Sequence, residues 1–93
     1  MQFNLTFDPA KNTRNIQLRD MDFKKVADFD WSTAVISEDM RKDYSERRYQ
    51  AVGFVEDHLC MLVFTPRDAG IHVISFRRAN KRERTRYATQ TKS

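Results

Sequence analysis

The chain has 93 residues, of which 40% are hydrophobic and 12% aromatic, with only two glycines and two prolines. That composition supports one small core and excludes a second domain, a linker-rich chain and a disordered one. The net charge of +4 favours an anionic partner, and no apolar run approaches the length of a membrane span.

Phe3-Asn-Leu-Thr-Phe7 alternates apolar and polar residues and predicts a short first strand. Asp8-Pro9 then signals a helix, because aspartate caps an N-terminus and proline suits the first helical position. The helix is expected from Pro9 to about Leu18. Its apolar face (Ala10, Ile16, Leu18) is thin, which places it on the outside with Lys11, Arg14 and Asn15 toward solvent. Asp22 caps a second expected helix to about Phe29, with Met21 and Val26 as a hydrophobic staple. Phe23, Val26 and Ala27 follow i, i+3, i+4 spacing toward the core. Trp31 reads as a packing residue.

Thr33–Ser37 predicts a second strand, and Glu38–Glu46 a charged, mobile loop. Arg47–Val55 reads as a third strand, and Glu56-Asp57-His58 as the turn after it. Leu59–Phe64 is almost continuously apolar, as in a strand covered on both faces. Pro66 is expected to close that strand, with Gly70 supplying a positive φ in the connection. Ile71–Phe76 is β-branched and aromatic, hence the last strand. Asn80 and Glu83 have the spacing of a capping box, which opens a basic helix; the polar tail Thr89–Ser93 is expected to fray. The sum is an α+β fold: one domain over residues 1–93, with a small antiparallel β-sheet, two N-terminal helices and a C-terminal basic helix.

The chemistry gathers near the C-terminus. Between Arg77 and Arg86 lie six cationic side chains and one acid, Glu83. Arg77 and Arg78 end an apolar strand just before a helix, where free backbone N–H groups could help to hold a phosphate. Lys81, Arg82, Arg84 and Arg86 lie on the helix that follows, and such charge runs commonly just face water. No CxxC, HExxH or Gly-rich phosphate loop occurs, so neither a metal, a cofactor nor an NTPase site is expected. His58 falls in a turn and His72 in a strand; a histidine acid–base pair would need both. The single Cys60 lies in an apolar run and reads as a buried hydrophobe rather than a nucleophile. The start of the chain lacks the pattern of a signal peptide, and a reducing cytoplasmic setting is expected. Arginines with a few carboxylates suit RNA cleavage by its own 2′-OH, where the protein holds a phosphate, balances charge and moves protons.

Four segments share one pattern: Phe7-Asp8-Pro9-x-Lys11-x-x-x-Asn15; Asp22-Phe23 with Ala27 and Phe29; Glu46-Arg47 with Gly53; and Val73-Ile74-Ser75-x-Arg77-Arg78-Ala79-x-x-x-Glu83-Arg84-x-x-Tyr87. In order and spacing they resemble the BrnT family of type II toxins, within the RelE/ParE-like group, over nearly the whole chain. Arg19-Asp20-Met21 departs from the Lys-His-Gly-like turn usual there, and Val63-Phe64 from a polar residue often found in the fourth strand. The resemblance implies a RelE-like fold and a ribonuclease that blocks translation. It also implies a cognate BrnA-like antitoxin with a ribbon-helix-helix part, through which alone operator DNA is bound. On this reading Arg77, Arg78 and Arg67 stabilise the transition state and Glu46 is the base. Lys11, Lys81, Arg82 and Arg84 would bind RNA, Glu83 would cap its helix, and Tyr87 would pack that helix on the sheet. The rival readings are a nucleic-acid-binding module without catalysis and a surface that only docks an antitoxin.

Overall fold

A computed structural model of the chain describes residues 4–91. Strand β1 (Asn4–Phe7) leads into α1 (Pro9–Arg19), then two 3₁₀ helices (Phe23–Asp28 and Trp31–Thr33). Strands β2 (Val35–Glu38), β3 (Tyr49–Val55), β4 (His58–Arg67) and β5 (Gly70–Arg78) follow, and α2 (Lys81–Thr91) closes the chain. The strands form one sheet in the order β1-β5-β4-β3-β2. The α+β expectation holds, but the sheet is mixed: β1 pairs with β5 in parallel, and the other three pairings are antiparallel. Hairpin connections dictate antiparallel neighbours, but β1 leaves through a helix, so its direction is free of that rule. Phe3, expected to begin β1, lies outside the described residues.

The second expected helix is a 3₁₀ helix, and the buried residues follow that geometry. Phe23, Val26 and Phe29, spaced by three, are 2%, 0% and 5% exposed, whereas Ala27 faces solvent. In a 3₁₀ helix i and i+3 eclipse, so a period of three makes one edge. Asp22 and Asp30 each cap a short turn, accepting from Lys24 N and Ser32 N, and leave no room for a longer α-helix. The edge fills the core with Leu62, Phe64, Val73 and Phe76 from one sheet face. Trp31 packs there too, edge-on to Phe29 and Phe64. Gly53 leaves space for Phe29, whose ring carbon would stand 2.6 Å from an added Cβ.

Two turn expectations are corrected. Pro66 does not close β4; it pairs with Ile71, and the strand runs on to Arg67. Pairing with β3 ends at Phe64, so proline's missing N–H falls on a free edge. Gly70 has no positive φ; the left-handed residue of that turn is Asp68. Gly70 is needed instead for the approach of β1, since an added Cβ would lie 1.8 Å from the Asn4 carbonyl oxygen. The C-terminal helix reaches Thr91, past the point where fraying was expected to begin, and residues 92–93 lie outside the described chain.

One irregularity in β5 sets the phase of its side chains. Val63 pairs with Ser75 but Phe64 with Val73, so Ile74 is an extra residue, a β-bulge. Ile71, Val73 and Phe76 therefore all reach the core despite their mixed parity. By the same shift His72, Ser75 and Arg77 share the opposite face.

Candidate nucleic-acid site

The face of the sheet turned away from the core carries most of the candidate chemistry, arranged in two groups. At one end stands Arg77. Its Nη1 and Nη2 donate to Glu83 Oε1 and Oε2, both at 2.8 Å, and Nη1 also donates to the Arg78 carbonyl at 3.1 Å. Glu83 is at the same time the cap of α2: Asn80 N donates to Glu83 Oε1 at 2.9 Å, and Glu83 N to Asn80 Oδ1 at 2.8 Å. One carboxylate thus closes the capping box and clamps the last strand to the last helix. Arg77 foremost, with burial opposing it, holds the Glu83 carboxyl below its ordinary range. Tyr87 completes the joint, its ring edge-on to Phe54 and its hydroxyl donating to the Thr33 carbonyl at 2.8 Å.

Beside Arg77 lies the segment between β2 and β3, and it is anchored by a residue that composition did not single out. Asp39 is 4% exposed. Its carboxylate accepts from Arg41 Nε and Nη2, both at 2.8 Å, and from the Tyr44 hydroxyl at 3.2 Å. Its backbone N–H donates to the Arg48 carbonyl. The Arg41 bonds hold the Asp39 carboxyl well below the carboxylate range, against the cost of burial. Arg41 remains exposed, close enough for its charge to oppose the effect of Glu83 on Arg77.

At the other end Arg67 Nη2 donates to Glu46 Oε1 at 3.0 Å, and both side chains are about half exposed. Arg67 foremost keeps the Glu46 carboxyl below its ordinary value, with the Thr65 hydroxyl and His72 contributing. Thr65 is buried and donates to the Arg47 carbonyl at 2.7 Å, which fixes the chain next to Glu46. His72 is the cross-strand partner of Thr65, and its Nδ1 lies 2.8 Å from the Thr6 hydroxyl of β1.

Of the four residues expected to act together, the structure joins Glu46 with Arg67 and sets the other two apart. Arg67 lies opposite Gly70 and Arg77 opposite Met61, six positions along β4, or about 20 Å. Arg78 alternates to the core-side face, where with Lys25, Glu56, His58 and Cys60 it lines a cavity of about 350 Å³. One phosphate cannot be gripped by all three arginines. Lys81, Arg82 and Arg84 are exposed on α2, and Arg84 Nη1 donates to the Ala79 carbonyl. Lys11 is exposed on α1 and lines a shallow groove with Arg14 and Ser75. His58 and His72 lie about 23 Å apart along β4, too far for a pair. Cys60 is buried and free, and burial pushes its thiol up. Among the described residues no group of three or more His, Cys, Asp or Glu could hold a metal ion, and no helix is long and apolar enough to cross a membrane.

Asn12 and Asn15 were missed as structural residues. Asn12 is 7% exposed, accepts from Phe23 N at 2.7 Å and donates to Asp22 Oδ1 at 3.0 Å. Asn15, expected in solvent, donates to both the Met21 and Phe76 carbonyls at 2.9 Å. It thereby satisfies the edge of β5 where β1 has ended. The spacing of Asn12 and Asn15 on one side of α1 was the available signal.

No curated protein and no solved structure gives a significant match to the chain. A family model does: the ribonuclease toxin BrnT of type II toxin–antitoxin systems matches residues 7–83, from the end of β1 to the carboxylate that caps α2. The chain belongs to the BrnT family, ribonuclease toxins that are paired with an antitoxin.

Proposed function

We propose that this toxin is an endoribonuclease that cleaves RNA through its own 2′-OH, without a metal ion. The supporting observation is the Glu46 carboxylate, bonded to Arg67 on the face that also bears Arg77. Glu46 takes the 2′-OH proton, O2′ attacks the adjacent phosphorus, and the P–O5′ bond breaks to leave a 2′,3′-cyclic phosphate. Arg67 turns from Glu46 to a phosphate oxygen as RNA arrives, balancing the charge that builds there. That movement also frees Glu46 of its stabilising partner and makes it a stronger base. Arg77, held rigid by Glu83, and Arg41 engage the backbone further along the strand. Lys11, Lys81, Arg82 and Arg84 extend the cationic track. Arg78 faces the other way and is left out of the phosphate grip.

The rest of the reading follows the family. The chain acts as a single cytoplasmic domain, blocks translation, and is neutralised by a BrnA-like antitoxin whose ribbon-helix-helix part carries the complex to operator DNA. The test is cleavage of a single-stranded RNA in excess EDTA, with the ends of the products analysed. Products ending in 2′,3′-cyclic phosphate and 5′-OH are expected, and a 2′-deoxy substitution at the scissile nucleotide should block cleavage. Loss of activity in EDTA, or cleavage of the deoxy substrate, would sink the mechanism.

A further inference from the structure

We infer that His72 is the general acid of this ribonuclease, protonating the departing 5′ oxygen. The inference rests on the cleavage reading above, which supplies a base and a phosphate ligand but no donor for the leaving group. An alkoxide is a poor leaving group, and a positioned acid contributes about 10²–10⁴-fold in such a reaction.

Three observations converge on the ring. First, the bulge at Ile74 sets His72 on the same face as Ser75 and Arg77, although an unbroken alternation would send it to the other side. Second, its neighbours there are the proposed reagents. Thr65 lies across from it on β4, Thr65 holds the Arg47 carbonyl, and the adjacent Glu46 pairs with Arg67. The charge of His72 contributes to lowering the Glu46 carboxyl, as a ring close to that carboxylate would. Base, phosphate ligand and imidazole thus occupy one end of one sheet face, the complement that in-line cleavage of RNA requires.

Third, the ring is oriented for the task. The Thr6 hydroxyl lies 2.8 Å from Nδ1 and 3.5 Å from the Ile71 carbonyl. Both nitrogens of a protonated ring are donors, so Nδ1–H is engaged by the Thr6 hydroxyl and Nε2–H is turned to the substrate. In the cationic ring Nε2–H is the acid. As the P–O5′ bond breaks, that proton passes to O5′ and the Nε2–H bond electrons remain on nitrogen, leaving neutral imidazole. Glu46 meanwhile holds the proton from the 2′-OH, so charge and protons balance over the step. Thr6 is a positioning residue; it orients the ring through Nδ1 without touching RNA.

The experiment compares two RNAs that differ only at the scissile linkage: one with the natural 5′ oxygen, one with a bridging 5′ sulfur, whose thiolate leaves without protonation. For His72→Asn, whose amide can still donate to Thr6, cleavage of the natural RNA should fall about 10²–10⁴-fold. Cleavage of the sulfur-bridged RNA should stay near wild type. Thr6→Val should show a smaller loss of the same kind, restored in Thr6→Ser. Glu46→Gln should be slow on both substrates. Natural-RNA cleavage at the wild-type rate by His72→Asn, or an equal loss on both RNAs, overturns the role of His72 while leaving the cleavage reading intact. Cleavage of a 2′-deoxy substrate by the wild-type protein overturns that reading and this inference with it.

Discussion

The two ends of the functional face use the same ingredients, one arginine and one glutamate, to different effect. Arg77 and Glu83 have side chains 29% and 17% exposed, bond through both terminal guanidinium nitrogens, and share their carboxylate with a helix cap. Arg67 and Glu46 are 49% and 44% exposed and meet through a single bond. Breaking the first pair strands a half-buried charge and loosens α2. Breaking the second leaves two groups that water can solvate, so the pair adds little to stability and either partner can turn to a ligand. An arginine–glutamate pair is a structural joint or a loose pair open to solvent and ligands according to how far it is withdrawn from water.

Glu46→Gln gives the largest expected effect: cleavage should fall about 10²–10⁴-fold with the melting temperature unmoved. A stability loss comparable with that of a Glu83 variant would break the contrast between the two ends. Next, Arg67→Ala should cost far more activity than Arg78→Ala, because only Arg67 stands on the functional face; equal losses in a cleavage assay would refute the partition. Glu83→Gln should lower stability by about 2 kcal/mol in a denaturant titration, since it weakens charge-assisted bonds to Arg77 while keeping a polar cap. Residual cleavage by the folded variant should exceed that of Glu46→Gln.

A pH titration of stability sharpens the same comparison. Glu83 has its carboxyl held below the ordinary value of 4.5, first by Arg77. A depressed carboxylate stabilises the fold fully above its unfolded pKa and loses that contribution as pH falls through the folded value. Stability should therefore hold from neutrality to about pH 4.5 and decline below it, and Glu83→Gln should flatten part of that decline. The rest belongs to the other depressed carboxyls, Asp39 beside Arg41 together with Asp22, Asp30 and Glu46, which fall off in the same direction. The smallest effect is expected for Tyr87→Phe. Losing one bond to the Thr33 carbonyl should cost about 1 kcal/mol in thermal denaturation, with the ring contact to Phe54 retained.

Local rules carried much of this architecture. Asp8-Pro9, Asn80 with Glu83, and the apolar run at Leu59–Phe64 each yield to sequence reading because their partners lie within a few residues or their pattern needs none. What escaped was non-local. Asn15 bonds a carbonyl 61 positions away, and its spacing from Asn12 marks a shared side of α1 but not that distant partner. The Glu83 cap was legible; its second bond, to Arg77, joins two elements and was not. Arg77 and Arg78 looked like one site because they are adjacent, although adjacency in a strand means opposite faces. His72 was set aside when His58 was its only imagined partner. Its neighbours come from β1, β4 and the segment before β3, gathered by the topology.

The extra residue at Ile74 also makes β5 unusually tolerant of a change of length at that one point. On its early part the odd-numbered residues Ile71 and Val73 are buried; past the bulge the even-numbered Phe76 is. Deleting Ile74 would restore a regular strand in which Ile71, Val73 and Phe76 fall on alternate positions, so all three keep the core face and the pairings of Phe64 with Val73 and of Val63 with Ser75 become consecutive. The imidazole of His72 and the guanidinium of Arg77 likewise stay together on the opposite face. Homologous toxins should therefore tolerate a one-residue gap at this position far more readily than one earlier in the strand, between Ile71 and Val73.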